Sequence, residues 1–295
     1  MAQSLSGSSS SARPPFTPRT IAITGATSGI GRAAAEALAS RAEQLALVGR
    51  DPERLALAAR ELAAGPRPAK LSTHRADLSL LADVRRLADD LIATAPTLNV
   101  LVNNAGAFYS RRGVTAEGTE RTFALNVLAP FLLTRLLHDR LRENAPSRVV
   151  MVASAAHNGN RLDLDDLEGR TKYSGYTAYG RSKLALILLT HELARRWNDD
   201  GITVNAVHPG FVRSGFGQNN GGGVALAIRF LALFGLSATK GAVTPVYVAT
   251  SPQVEGTTGE YFVKSRAARS SRESYDDALA RKLWDVCSEK VGLPP

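Results

Sequence analysis

The chain has 295 residues, 44% of them apolar and 21% charged, with a formal net charge of +9. That is enough apolar material for one large domain or two small ones, in an ordinary globular composition. The positive charge is scattered over Arg111 and Arg112, Arg195 and Arg196, and residues 264–272. It forms no basic stripe with interleaved aromatics, so no nucleic-acid partner is expected.

Cys287 is the only cysteine, which excludes an internal disulfide framework and suits a reducing compartment, so a cytoplasmic location is expected. The longest apolar stretch, residues 224–236, is interrupted by Arg229. It is shorter than the roughly 20 residues of a membrane span, and none is expected. Residues 1–18 are rich in Ser, Pro and Arg without an amphipathic pattern and read as a disordered tail. Residues 19–295 read as one domain.

The domain opens with a β-rich run at 21–24, followed by Gly25-Ala26-Thr27-Ser28-Gly29-Ile30-Gly31 and an Ala-rich helix former at 32–39. A glycine turn between strand and helix lets the backbone approach a phosphate at a helix N-terminus. The spacing is G-x-x-x-G-x-G, which departs from the commoner G-x-G-x-x-G fingerprint. A second strand, Gln44–Gly49, ends at Arg50-Asp51-Pro52-Glu53. An acidic residue at this tip would accept hydrogen bonds from a ribose hydroxyl, whereas arginine pairs with a 2′-phosphate. Asp51 reads as the N-cap of a helix over 52–64, which leaves Arg50 to favour NADP(H) over NAD(H).

Alternation continues with a strand near 70–74, then Asp77-Leu78, a helix over 80–95, and a buried strand at 99–102 ending in Asn103-Asn104-Ala105-Gly106. A long helical stretch over 117–144 carries Asn126 among apolar neighbours. A strand at 148–153 leads to Ser154. A helix from Tyr179 to about Trp197 precedes a strand at 202–207, which leads to His208-Pro209-Gly210. Strands separated by helices of this length predict an α/β, Rossmann-type, doubly wound parallel sheet of about seven strands with helices on both faces. Ligands bind such sheets beyond the carboxyl ends of the strands, where these motifs all fall.

Within the helix that starts near Tyr179, Lys183 lies four residues on and projects from the same face. A nearby ammonium favours the phenolate, so the pairing is expected to draw the tyrosine below its usual value of ~10. Tyr173 and Tyr176 have no lysine at that spacing.

Together these segments resemble the short-chain dehydrogenase/reductase family over residues 19–263, whose own glycine spacing is the one found here. The resemblance implies that Tyr179 is the general acid/base, that Lys183 lowers its pKa and binds the nicotinamide ribose, that Ser154 hydrogen-bonds the substrate oxygen, and that Asn126 holds a relay water. It implies a cofactor site of Gly25, Thr27, Ser28, Gly29, Ile30, Gly31, Arg50, Asp77, Leu78, Asn104, Ala105, Gly106, Pro209, Gly210, Val212 and Ser214, together with Tyr179 and Lys183, and no metal. Ser28 stands where many NADP users of the family carry a basic residue. The long 154–179 loop and an apolar lid region at 213–238 are similar to the retinol dehydrogenase and protochlorophyllide reductase branch, which implies a lipophilic carbonyl or alcohol substrate. Relatives pair through helices equivalent to 124–141 and 179–195, so a homodimer or homotetramer is expected. The alternatives are a cofactor-binding regulator without turnover and a reductase of carbon–carbon double bonds.

Overall fold

A computed structural model describes residues 16–65, 69–212 and 236–295. The lid region at 213–238 and Ser214 therefore fall almost wholly outside the described residues. Before residue 19 the chain is already packed: Phe16 is buried with the guanidinium of Arg148 3.6 Å above its ring. The Thr17 carbonyl accepts from Asn99 Nδ2 at 3.0 Å. The expected tail boundary at 18 is thus late by these residues, because one aromatic in a polar segment found a buried cation to cover.

The sheet order is β3-β2-β1-β4-β5-β6-β7-β8. Its strands are β1 (Thr20–Thr24), β2 (Gln44–Gly49), β3 (Lys70–Arg75), β4 (Leu98–Asn103), β5 (Ser147–Val152), β6 (Ile202–His208), β7 (Tyr261–Val263) and β8 (Arg266–Ala268). Strands β1 to β7 pair in parallel, while β8 returns antiparallel to β7. The eighth strand goes beyond the expected seven. Its three residues Arg-Ala-Ala carry no hydrophobic alternation, and the hairpin is made by Lys264 and Ser265, both at positive φ, in place of an Asn-Gly pair.

Helices α1 (Gly29–Ala39), α2 (Pro52–Ala63) and α3 (Leu81–Thr94) follow the first three strands. The expected 117–144 helix is broken into α4 (Arg121–Phe123), a π turn at Ala124–Leu128, α5 (Ala129–Leu136) and α6 (His138–Glu143). After β5 come α7 (Gly175–Arg196), then α8 (Ala238–Thr250) and α9 (Asp277–Val291). One core joins α1 and α8 to one face of the sheet. The other joins α3, α5, α7 and α9 to the opposite face.

The long loop before α7 is anchored: Leu162, Leu164 and Leu167 pack against the second core. That core also accounts for the surface expected to pair with a second copy. Trp284 of α9 meets Phe131 of α5 at 5.0 Å between ring centroids, and α9 lies along α7. The chain's own C-terminal helix therefore occupies the α5/α7 face. The order of the strands reverses between β1 and β4, so the crevice for a ligand opens where the glycine turn and the Asn104–Gly106 turn meet.

Candidate active site

The phosphate cradle begins at Gly25 and Gly29, whose φ values of +68° and +54° are left-handed. Ser28 is the N-cap of α1 but makes no side-chain cap bond, so the helix presents free N–H groups at its start. A methyl group on Gly31 would collide with the Gly25 carbonyl oxygen and Asn104 Nδ2, which is why the third glycine is needed. Asn104 Nδ2 donates to the Thr24 carbonyl at 2.9 Å, and the Thr24 hydroxyl accepts from the amides of Asn104 at 3.0 Å and Ala105 at 2.9 Å. Asn104 and Thr24 thus fasten the two turns to each other. Thr27 Cγ2 packs against Gly49, at a place where a side chain on residue 49 would not fit. Val212 and Ile30 meet over Gly241 of α8, which sets the segment after Pro209-Gly210 above the cradle.

At the ribose end, Asp51 Oδ1 accepts from the amides of Glu53 at 3.0 Å and Arg54 at 3.1 Å, as the capping reading expects. Arg50 is mostly exposed, with Nη1 3.9 Å from Asp77 Oδ2. Asp77 Oδ1 accepts from the Ser79 amide and hydroxyl at 3.0 and 2.7 Å. The Leu78 side chain is buried in the core, so only its backbone is available to a ligand.

Ser154 and Tyr179 come together: the serine hydroxyl hydrogen-bonds the tyrosine side chain. The Ser154 Oγ also accepts from the Ala156 amide at 3.2 Å, capping a short 3-10 turn at Ala155–His157. Lys183 is buried, its Nζ donating to the Val152 carbonyl at 2.9 Å and lying 5.6 Å from the Tyr179 ring centroid. A methyl on Gly106 would sit 3.2 Å from Asn126 Oδ1 and 3.4 Å from Lys183 Nζ, so Gly106 separates the two. The Phe108 ring stands edge-on to Tyr179 at 6.2 Å and gives the site an apolar wall.

Two expectations change here. Burial pushes the Tyr179 phenol up to about 12, against the pull of the Ser154 bond, and burial also brings Lys183 down to about 8. The ammonium is aimed at the Val152 carbonyl, and loss of hydration sets the direction for both groups. Asn126 is also more committed than expected. Its Oδ1 accepts from the Ala107 amide at 2.9 Å, and its Nδ2 donates to the Ala107 carbonyl at 3.0 Å and Ser182 Oγ at 3.1 Å. Its side chain therefore ties the β4 turn to α7, and the π turn is what swings it inward.

Tyr173 lies outside this cluster, its hydroxyl 3.2 Å from Glu120 Oε1 and from the Tyr109 carbonyl. Thr24, Ser182 and Glu120 escaped the sequence reading. Thr24 and Ser182 lie inside segments already singled out, without a role assigned to them, whereas buried Glu120 caps α4, its carboxylate accepting from the Thr122 and Phe123 amides, and is reached by Tyr173 from a distant part of the chain. Among the described residues, no group of three or more His, Cys, Asp or Glu is placed to hold a metal.

A family model for short chain dehydrogenases matches residues 19–222, and the chain belongs to that family. Its similarities place it in the retinol dehydrogenase-like branch. It is 44% identical over 277 residues to a Streptomyces sp. (strain C5) protein assigned by inference as a daunorubicin C-13 ketoreductase, covering 93% of each chain. It is 37% identical over 295 residues to human retinol dehydrogenase 14, covering 93% of this chain and 87% of that one. Among solved structures, an uncharacterised protein of Mycobacterium paratuberculosis superposes with a TM-score of 0.76 at 31% identity, covering 95% of this chain and 96% of that one. A short-chain dehydrogenase of Burkholderia cenocepacia in complex with NADP superposes with a TM-score of 0.67 at 25% identity, covering 84% and 97%. The chain is an NAD(P)-dependent oxidoreductase acting on the CH–OH/C=O pair.

Proposed function

We propose that this protein is an NADPH-dependent reductase of a lipophilic ketone or aldehyde, with Tyr179 as proton donor. The observation that carries the reading is the Ser154 hydroxyl bonded to the Tyr179 side chain, with buried Lys183 one helical turn on.

The cofactor fits the residues present. Gly25 and Gly29 take left-handed turns and Gly31 lets the backbone of the turn close on itself, which leaves the uncapped start of α1 to offer its amides to a pyrophosphate. Arg50 is a mostly exposed cation at the tip of β2, held only by a long 3.9 Å pairing with Asp77, and Asp51 is spent on its helix, which supports the 2′-phosphate form. The bound nicotinamide would supply the hydride. Negative charge then develops on the carbonyl oxygen, where two hydroxyl donors are worth most in a site short of water. Ser154 orients that oxygen and Tyr179 gives it a proton. A phenol held up near 12 remains protonated at neutral pH, the form that reduction requires. Lys183, a cation 5.6 Å from the ring centroid, favours the phenolate left behind and would hydrogen-bond a ribose hydroxyl.

Phe108 beside Tyr179 and exposed Phe211 beyond Gly210 favour an apolar substrate. Relatives named for a ketone of daunorubicin and for retinol agree with that class. The buried lone cysteine suits a cytoplasmic setting. The test follows NADPH absorbance over a panel of aromatic ketones, aldehydes and retinoids, with wild type and Tyr179→Phe. Turnover of at least one substrate is expected, with Tyr179→Phe reduced by at least a thousandfold at unchanged NADPH affinity. A Tyr179→Phe variant that keeps more than a tenth of the activity removes the tyrosine from the reaction.

A further inference from the structure

The peptide unit between Ser154 and Ala155 is held at both of its polar atoms by imidazoles. His157 is fully buried, and its Nδ1 lies 2.6 Å from the Ser154 carbonyl oxygen. Its Nε2 lies 3.0 Å from the Ser271 amide nitrogen. A backbone amide only donates and a carbonyl only accepts. The partners therefore leave Nε2 bare and put the proton on Nδ1. On the other side of the same peptide, the Ala155 amide donates to Nδ1 of His208 at 3.2 Å. The His157 ring is further fixed by Tyr261, edge to face at 5.2 Å between centroids.

Nothing in the hydride chemistry calls on these histidines, yet they decide the plane of the peptide from which the Ser154 side chain leaves. With that plane fixed and Ser154 Oγ accepting from Ala156, the serine's own hydrogen is left for Tyr179. We propose that His157 is a positioning residue: with His208 it clamps the 154–155 peptide so that the Ser154 hydroxyl faces Tyr179, and through Ser271 it makes that aim depend on the C-terminal segment. The inference rests on the reading that Ser154 and Tyr179 serve the reaction.

The same segment is fastened at a second point. The Ser274 carbonyl lies 2.9 Å from His191 Nδ1 on α7, the helix that carries Tyr179. Residues 271–274 thus bridge the Ser154 turn and the Tyr179 helix, the two parts whose relative placement the reaction needs.

The experiment is a double-mutant cycle on reduction of para-nitrobenzaldehyde by NADPH. His157→Phe keeps a ring of similar size against Tyr261 and lacks both nitrogens. His157→Gln can donate to one side and accept from the other. His157→Phe is expected to lower kcat by at least tenfold with NADPH affinity within twofold of wild type, and His157→Gln to recover at least half of that loss on a logarithmic scale. In a Ser154→Ala background, His157→Phe is expected to change kcat by less than twofold, because its effect passes through the serine. The same tenfold loss in both backgrounds overturns the inference, as does a His157→Phe enzyme within twofold of wild type. An unchanged kcat in Ser154→Ala alone instead refutes the underlying reading of the site. Should His157→Phe fail to bind NADPH, His208→Phe, which has no acceptor for the Ala155 amide, releases the other end of the same peptide and enters the identical cycle with the same two outcomes.

Discussion

Replacing Gly31 by alanine tests whether the glycine turn is built for close approach or merely for flexibility. Gly31 is not at positive φ, so alanine meets no dihedral penalty there. The cost is contact. The added methyl would run into the Gly25 carbonyl oxygen and Asn104 Nδ2 and come within 2.9 Å of the Gly25 carbonyl carbon. Two of these atoms are backbone, and the third is held by hydrogen bonds of 2.9 Å to the Thr24 carbonyl and 3.4 Å to the Gly25 carbonyl. Overpacking of this kind costs about 1–3 kcal/mol, and loosening an Asn104 bond adds about 1 kcal/mol. A loss of about 2–4 kcal/mol lowers Tm by roughly 5–15 °C in a domain of this size. Displacing the turn also moves the amides that would face the pyrophosphate, so NADPH affinity, read by fluorescence titration, is expected to fall by about a hundredfold. Gly118→Ala is the control: φ is +80° with no atom within 4 Å of an added methyl. It pays only for the left-handed backbone, about 1–2 kcal/mol, and leaves NADPH affinity unchanged. A Gly31→Ala protein with wild-type Tm and NADPH affinity within threefold would refute the close-approach argument.

Arg50→Ala is expected to weaken NADPH roughly tenfold while leaving NADH within twofold, since an exposed guanidinium on a phosphate is worth the low end of a charge-assisted bond; equal losses for both cofactors count against the assignment. Lys183 titrates at about 8, so it is a cation at pH 7 and loses its charge above that value. NADPH binding and the rate of reduction should therefore both decline between pH 7.5 and 9.5, and a flat profile would show that the ammonium is not needed. Burial lowers the pKa of His74, His157, His191 and His208 in the folded chain. The unfolded chain then takes up more protons below about pH 6.5, and the urea midpoint should fall as pH drops from 7 to 5.5; a rise over that window would reverse the sign. Because α9 occupies the α5/α7 face, light scattering is expected to give the mass of one chain, and a dimer whose interface by cross-linking runs through α5 and α7 would contradict it.

The fold was legible wherever neighbours in sequence are neighbours in function. Strands such as Gln44–Gly49 carry continuous apolar runs because both faces are covered, and their carboxyl ends are marked by Gly, Asn, Asp and Ser. The G-x-x-x-G-x-G turn, the Asp51 cap and the Tyr179/Lys183 spacing are each local, and the chain shows them as read. The π turn at Ala124–Leu128 was not visible, since its sequence is as good a helix former as its flanks and only the Asn126 bonds to Ala107 and Ser182 select the wider turn. Nor were the roles of Glu120 and Glu168. Each is a buried carboxylate that joins remote parts of the chain: Glu120 caps α4 locally but is also reached by Tyr173, and Glu168 accepts from the Glu120 amide and from Lys290 on α9 at 2.8 Å.

The tyrosine and lysine show why spacing alone misjudged the site's electrostatics. Placing a cation one turn from a phenol predicts a lowered pKa only if the cation keeps its charge and the phenol keeps some water. Here Lys183 is buried and Tyr179 half-buried among apolar neighbours, so desolvation pushes each toward its neutral form, the phenol to about 12 and the lysine to about 8. For carbonyl reduction this is the favourable arrangement, because the tyrosine is needed as an acid and must not have lost its proton beforehand. For alcohol oxidation it is a handicap, because the phenolate must be formed first. The groups able to relieve that handicap are the Lys183 charge and the Ser154 hydroxyl, both of which favour the phenolate. An enzyme so poised favours reduction at neutral pH and gains oxidation only as pH rises, up to the point near 8 where Lys183 gives up its charge.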